Sequence, residues 1–297
     1  MTIPPVPDTR PRVSAALIAQ LARRLTPRDH QILELVHEHQ VLTTSQITDL
    51  FFDNQRVAAE RLAILYQHRA LDRTQPRAWK GSAPYHYVLD EAGAVVLAAD
   101  RGLTRAEFRY RKDHAAAVLV SQKLGHTVGV NGFFAALAAA ARRAPGTDLV
   151  AWWPERRCAA EWQRRIRPDG YGRWRDTLPG GPAETDFFLE YDTGTEPLGR
   201  VAAKLTAYTA LLEATAIATP VLFWLPSPRR EAGLRRLIAA TATPAATATA
   251  RGPGSVPAHP AGPVWLPAGQ HGPRLHLAGL AHAWRRRSRG PSTWWPA

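Results

Sequence analysis

Between Phe187 and Tyr208 the chain reads FFLEYDTGTEPLGRVAAKLTAY: an apolar strand bearing Glu190 and Asp192, a Thr193-Gly194 turn, then a helix bearing Lys204. Side chains alternate along a strand, so Phe188, Glu190 and Asp192 share one face and Phe187, Leu189 and Tyr191 the other. Both acids fall near the strand's C-terminal end, where open α/β sheets place their ligands. A strand expected over residues 165–169 ends in Arg167-Pro168-Asp169-Gly170 and adds a third carboxylate. Hard oxygen ligands from adjacent strands are what Mg²⁺ requires, which makes Asp169, Glu190 and Asp192 candidate metal ligands. Lys204 flanks the apolar stripe Leu198, Val201, Leu205, Tyr208 and Leu212, where its stem can pack and its ammonium can reach the acids. Asp169, Glu190 and Lys204 are thus a candidate catalytic set for metal-assisted phosphodiester hydrolysis. The same residues also suit a solvated strand–turn–helix corner.

A second group of residues suits recognition rather than reaction. On a helix expected over residues 54–68, the apolar stripe Val57, Ala58, Leu62 and Leu65 leaves Arg56, Ala59, Glu60 and Ala63 facing outward. Arg56, close to the helix start with Asn54 and Gln55 beside it, is the candidate for a bidentate guanine contact. The following TQPRAWKGSAP segment joins two strand-like stretches, and Arg73, Arg77 and Lys80 around it are candidate phosphate contacts, with Trp79 able to pack on sugar.

The elements that position these groups follow from local signals. Thr26 is a helix N-cap with Pro27 at the first helical position, and Ile32, Leu33, Leu35 and Val36 supply an apolar face. A short helix from Thr43 or Thr44 buries Ile47, Leu50 and Phe51. Three helices, a hairpin with a basic tip and a closing helix over residues 90–99 are the order of a winged helix-turn-helix. Beyond it, helical patterns over residues 111–124 and 132–143 precede strands at 149–153, 165–169 and 185–192. A helix (196–214), a strand (220–225) and a helix (229–240) follow, an alternation that predicts an α/β domain with a mixed sheet. The overall expectation is α+β. Residues 1–24 form a disordered leader and helix, 25–105 the DNA-binding domain and 106–240 the α/β domain. Residues 241–262, TATPAATATARGPGSVPAHPAG, are a low-complexity linker, and 263–297 return a strand and helix before a basic tail, WRRRSRG.

Composition narrows the partner. Against 25 acidic residues stand 38 Lys+Arg, a net charge of +13 that calls for a polyanion, with double-stranded DNA the natural one. Residues 152–175 interleave Arg156, Arg157, Arg164, Arg165, Arg167, Arg173 and Arg175 with Trp152, Trp153, Trp162 and Trp174, a mixture suited to backbone and single-strand base contacts. A single cysteine, Cys158, excludes a disulfide framework and a thiolate zinc site. The N-terminus lacks the apolar core of a signal peptide. No apolar run approaches about 20 residues, so a cytoplasmic protein without a membrane partner is expected. Walker A, dinucleotide-loop and GxSxG patterns are absent, which removes ATP, NAD and serine-hydrolase readings. His114, on a helix, reads as a surface or capped core residue.

Asp169 in a Pro-Asp dipeptide, with Glu190 following 21 positions later at a strand end, resembles the PD-(D/E)xK phosphodiesterase superfamily, and the αβββαβ order is similar to its core. Where that superfamily carries a lysine two residues after the second acid, this chain has Asp192, so a catalytic role for Lys204 requires the lysine to have migrated to the helix. From about Leu25 to Leu280 the chain also resembles the replication-relaxation family of actinobacterial plasmids and integrative elements. The pieces that carry this are LTPRDHQIL, the His114 helix followed by VNGFF, RPDG, FFLEYDTGTE and KLTAY, in that order. The resemblance implies a winged-helix module fused to a nuclease-like domain, acting in plasmid replication or DNA relaxation beside relaxase or replication proteins. A homodimer stays open. An active Mg²⁺-dependent nickase and a winged-helix transcriptional regulator are the alternatives.

Overall fold

The computed structural model describes residues 10–77, 81–178, 181–216, 218–250 and 258–285. The fold is α+β, with a helical unit through Ala135 and a mixed-sheet unit from Ala136. The division falls some thirty residues beyond the boundary expected at 105/106, within helix α8 (Leu124–Arg143).

In the first unit, α1 (Ala15–Ala22) precedes α2 (Pro27–His39), α3 (Thr44–Phe51) and α4 (Gln55–Gln67). Each of the last three begins at a side-chain cap. Thr26 and Asp29 form a reciprocal capping box on α2, Thr43 and Gln46 another on α3, and Asn54 caps α4. Ile32, Leu33, Val36, Ile47, Ala58, Leu62 and Leu65 close the core. Val57, expected in the buried stripe, is 48% exposed instead. The spacing Ala58, Leu62, Leu65 already fills the inward arc, which turns Val57 outward with Arg56.

A three-stranded antiparallel sheet has the order β1 (Leu42–Thr43), β3 (His86–Leu89), β2 (Leu71–Thr74). The two-residue β1 carries no sequence signal of its own. Gln75 reaches across the loop to Ser82 and the Ala83 carbonyl. Trp79 and Lys80 lie outside the described residues. Helix α5 (Glu91–Asp100) follows, capped by Asp90, then α6 (Arg105–Phe108) and α7 (Lys112–Leu119), which carries His114.

Arg10 lies in the stretch expected to be disordered, yet its side chain is 6% exposed and pairs with Asp72 at 3.0 Å and Asp90 at 3.3 Å. Asp90 also accepts from the buried Arg69, Nε–Oδ2 2.6 Å. A methyl group at Gly93, within α5, would stand 2.3 Å from the Ala70 carbonyl oxygen, which is backbone and cannot swing away. Gly93→Ala should therefore cost about 1–3 kcal/mol through forced displacement of the α5–β2 contact. Urea unfolding checks this, and an unchanged midpoint would refute the packing.

Helix α8 is the one helix among the described residues long and apolar enough, by length and composition alone, to cross a membrane. Phe133, Phe134 and Leu137 are buried on it, and Asn131 donates to the carbonyls of His39 and Val41.

The second unit is a six-stranded sheet in the order β4 (Asp148–Pro154), β5 (Gly170–Leu178), β6 (Gly181–Tyr191), β7 (Val221–Leu225), β8 (Ala245–Thr249), β9 (Leu266–Pro267). β4, β5 and β6 run antiparallel; β6, β7 and β8 are parallel; β9 returns antiparallel. Helix α9 (Glu155–Glu161) links β4 to β5, α10 (Leu198–Thr215) links β6 to β7, and α11 (Pro228–Ile238) links β7 to β8. One face of the sheet packs Tyr171, Phe188, Val221, Phe223 and Ala245 against Val201, Leu205, Tyr208, Leu234 and Ile238. On the other face α12 (Leu277–Arg285) covers β5 and β6, and Trp224 meets Trp265 with ring centroids 5.6 Å apart.

Two strand expectations change. The strand read over residues 165–169 is irregular chain, and β5 begins after it at Gly170. Residues 245–249, in the expected linker, form β8, which is buried throughout. Ala245 joins the core against α10 and α11, and Thr247 satisfies its hydroxyl on Glu231 at 2.8 Å. Residues 251–257 and the basic tail from 286 lie outside the described residues.

Candidate functional site

The antiparallel pairing Gly170↔Leu189 brings Asp169, just before β5, beside Glu190, near the end of β6. Asp169 accepts a hydrogen bond from the Tyr191 backbone N–H at 2.8 Å, and its own N–H donates to the Leu189 carbonyl. Glu190 faces the α10 layer, paired across to Phe223, and is 3% exposed. Lys204 Nζ lies 2.6 Å from Oε2 of Glu190, and the Tyr208 hydroxyl donates to Oε1 at 2.5 Å. Lys204 and Tyr208 are four residues apart, hence on one face of α10. Tyr208 was legible as a core residue by its period, but nothing in the sequence indicates that its hydroxyl meets Glu190.

Burial, and then the charge of Asp169, push the Glu190 carboxyl up to about 7, with Lys204 and Tyr208 pulling the other way. Burial works against the Lys204 ammonium, but the charges of Glu190 and Asp169 outweigh it and hold the lysine above its usual range. Burial and Glu190 raise the Tyr208 phenol as well. The result is a carboxyl that takes up a proton far more readily than an exposed glutamate, paired with a Lys204 side chain that is 37% exposed.

Asp192 does not join this group. Arg230, in the first turn of α11, holds both its oxygens, with Nη2–Oδ1 at 3.0 Å, and the Gly194 N–H donates to Oδ1 at 2.9 Å. Asp192 therefore ties the β6–α10 turn to α11. Among the described residues no three His, Cys, Asp or Glu side chains converge as a metal site. Two carboxylates, one buried and saturated by an ammonium and a phenol, do not form a ready cradle for Mg²⁺.

In the first unit, Arg56 is 84% exposed on the outer face of α4, 3.5 Å from Glu60. Gln55 is exposed beside it. Asn54 is committed to capping, its carbonyl oxygen accepting from the Arg56 and Val57 N–H groups at 2.8 and 3.4 Å. Arg73 stacks over Tyr66 of α4 and Tyr85 before β3 at 4.3 and 4.0 Å, so its guanidinium is held between two rings rather than projecting free. Arg77 is exposed.

The class defined by this architecture is a two-unit α+β protein, a helical unit with a small antiparallel sheet followed by a mixed sheet with helices on both faces. Its sequence matches the model of the replication-relaxation family over residues 33–222. The chain belongs to that family. No curated protein and no solved structure matches it.

Proposed function

We propose that this protein is a DNA-binding accessory factor of plasmid or integrative-element replication, relaxation or transfer. The first unit acts as a winged helix-turn-helix on duplex DNA, and the second is a PD-(D/E)xK-like domain that has kept the fold without efficient cleavage. Its partners in that role are double-stranded DNA and the element's own relaxase or replication proteins. The observation that carries the reading is the outer face of α4, where Arg56 and Gln55 stand in solvent at the helix start, the position from which such helices reach base edges. The Asp at position 192, where the PD-(D/E)xK pattern has a lysine, and the closure of Glu190 by Lys204 and Tyr208 favour binding over turnover.

Arg56→Ala should weaken binding of the cognate duplex by about 1–3 kcal/mol and relax specificity at one position. Arg77→Ala should weaken all duplexes alike and lower the salt slope by roughly one. Fluorescence anisotropy over a salt series reads both, and a protein without salt-dependent duplex affinity would end this proposal.

A second reading, an Mg²⁺-dependent nickase, draws on the half-exposed Lys204 beside a carboxyl whose proton affinity lies near neutrality. Robust nicking of supercoiled DNA with Mg²⁺ or Mn²⁺, abolished by Glu190→Ala, would replace the non-cleaving reading with this one.

A further inference from the structure

The arginine- and tryptophan-rich stretch 152–175 separates into two parts. Trp174 is buried at 2%, Arg173 pairs with Asp186 at 2.7 Å, Arg175 with Glu184 at 2.8 Å and Arg167 with Glu155 at 3.0 Å. These belong to the sheet. Of the rest, Trp153, Arg157, Trp162, Arg164 and Arg165 lie where α9 hands over to β5.

There Trp153 and Trp162 are both half-buried, with ring centroids 5.8 Å apart. Behind them the aromatic packing continues inward, Trp153 to Tyr171 at 4.6 Å and Trp162 to Phe188 at 4.9 Å, so neither indole is free to reorient. Arg157, exposed, lays its guanidinium over the Trp153 ring at 4.4 Å. The chain then leaves α9 through two successive left-handed residues, Gln163 (φ 50) and Arg164 (φ 61), neither a glycine. Such backbone is sparsely populated and persists where the surroundings over-determine it. Here the Arg164 N–H bonds the Ala159 carbonyl at 2.8 Å and Ile166, 2% exposed, anchors the far side in the core. Arg164 and Arg165 are exposed on this fixed turn, and among the described residues neither meets a carboxylate.

We propose that this corner is a binding site for single-stranded DNA, with bases stacking on the Trp162 and Trp153–Arg157 surfaces and phosphates meeting Arg164 and Arg165. Only an unpaired strand offers base faces to such a platform, and stacking on aromatic rings and guanidinium planes is tolerant of sequence. The three exposed cations complement the backbone that links the stacked bases. This site is separate from the duplex-reading face of α4 and does not depend on it.

The test uses the full-length chain and a fluorescein-labelled oligo(dT), followed by anisotropy over a salt series. The triple variant R157A/R164A/R165A should bind oligo(dT) at least about tenfold more weakly, with the salt slope reduced by about 1.4, since each of the two lost single-strand phosphate contacts contributes roughly 0.7. An abasic strand of equal length should bind the parent protein about tenfold more weakly than oligo(dT), because the stacking is gone. All three substituted side chains are exposed, so the melting temperature should not move, and duplex affinity should stay as in the parent. Unchanged oligo(dT) affinity in the triple variant, or an abasic strand bound as tightly as oligo(dT), would overturn the proposal. A variant that lost duplex and single-strand binding in equal measure would do the same. Arg56→Ala provides the separate arm: it acts on duplex affinity alone, so failure of either site is read independently.

Discussion

Asp90→Ala is expected to destabilise the first unit by about 3–5 kcal/mol, the range for removing one partner of a buried ion pair. Asp90 is fully buried and serves three groups at once. It accepts from Arg69 at 2.6 and 3.2 Å, from Arg10 at 3.3 Å, and from the Glu91 N–H at 2.7 Å as the N-cap of α5. Truncation leaves the Arg69 guanidinium, with its side chain 7% exposed, facing a hole where Asp90 stood, with Glu91 still 3.6 Å away. Arg69 itself sits at φ 58, a conformation held by this network and by the Ala92 N–H on its carbonyl. Asp90→Asn keeps a capping oxygen and should lose less. Replacing both partners by apolar residues, as in Arg69→Met/Asp90→Leu, should recover much of the loss, because the desolvation penalty vanishes with the charges. Urea midpoints for the three proteins decide the matter; a loss under about 1 kcal/mol for Asp90→Ala would mean the network contributes little.

The second large effect concerns pH. In the folded chain the Glu190 carboxyl holds its proton up to about 7, against an ordinary value of 4.5 when unfolded. Folding therefore takes up a proton between those values. The contribution to stability is full below about 4.5 and is lost as pH rises to 7, by up to about 3 kcal/mol at 1.36 kcal/mol per unit. Lys204 does not offset this within the window, since its raised value makes it lose stability only above the usual lysine range. Glu190→Gln keeps the shape and a hydrogen-bonding partner for Tyr208 and should flatten the slope between pH 4.5 and 7. A parent whose stability instead rises with pH across that window, with the rise removed by Glu190→Gln, would show that the ion pair outweighs burial.

Much of the first unit was legible because its signals are local. The caps at Thr26, Thr43 and Asn54 are visible as residue types at fixed offsets, and they start the helices within a residue or two of expectation. The Glu190–Lys204 contact was legible too, from the position of Glu190 on β6 and of Lys204 on α10. What escaped was set by tertiary partners. Asp192 shares a face with Glu190, yet Arg230, 38 positions away in sequence, takes its carboxylate. The Ala-Thr run at 245–249 has the composition of a linker and becomes a strand because β7 and β9 pair with it on both sides. Arg10, in a Pro-rich leader, is fixed by acids that the fold gathers from Asp72 and Asp90. No window of neighbouring residues contains that information.

The spatial order of the large sheet, β4-β5-β6-β7-β8-β9, is also its order along the chain. A ribosome releasing the chain from its N-terminus would thus never need to open a formed ladder to admit a later strand. Each new strand docks on the edge left by the one before, beginning with the antiparallel β4–β5–β6 meander. Until residue 249 has emerged, however, β7 is a bare edge of five buried apolar residues, the kind of edge that pairs with other chains. The low-complexity stretch that supplies β8 is in this sense the seal on nascent solubility: chains that stop before it should aggregate as they are made, while those that reach β9 should not.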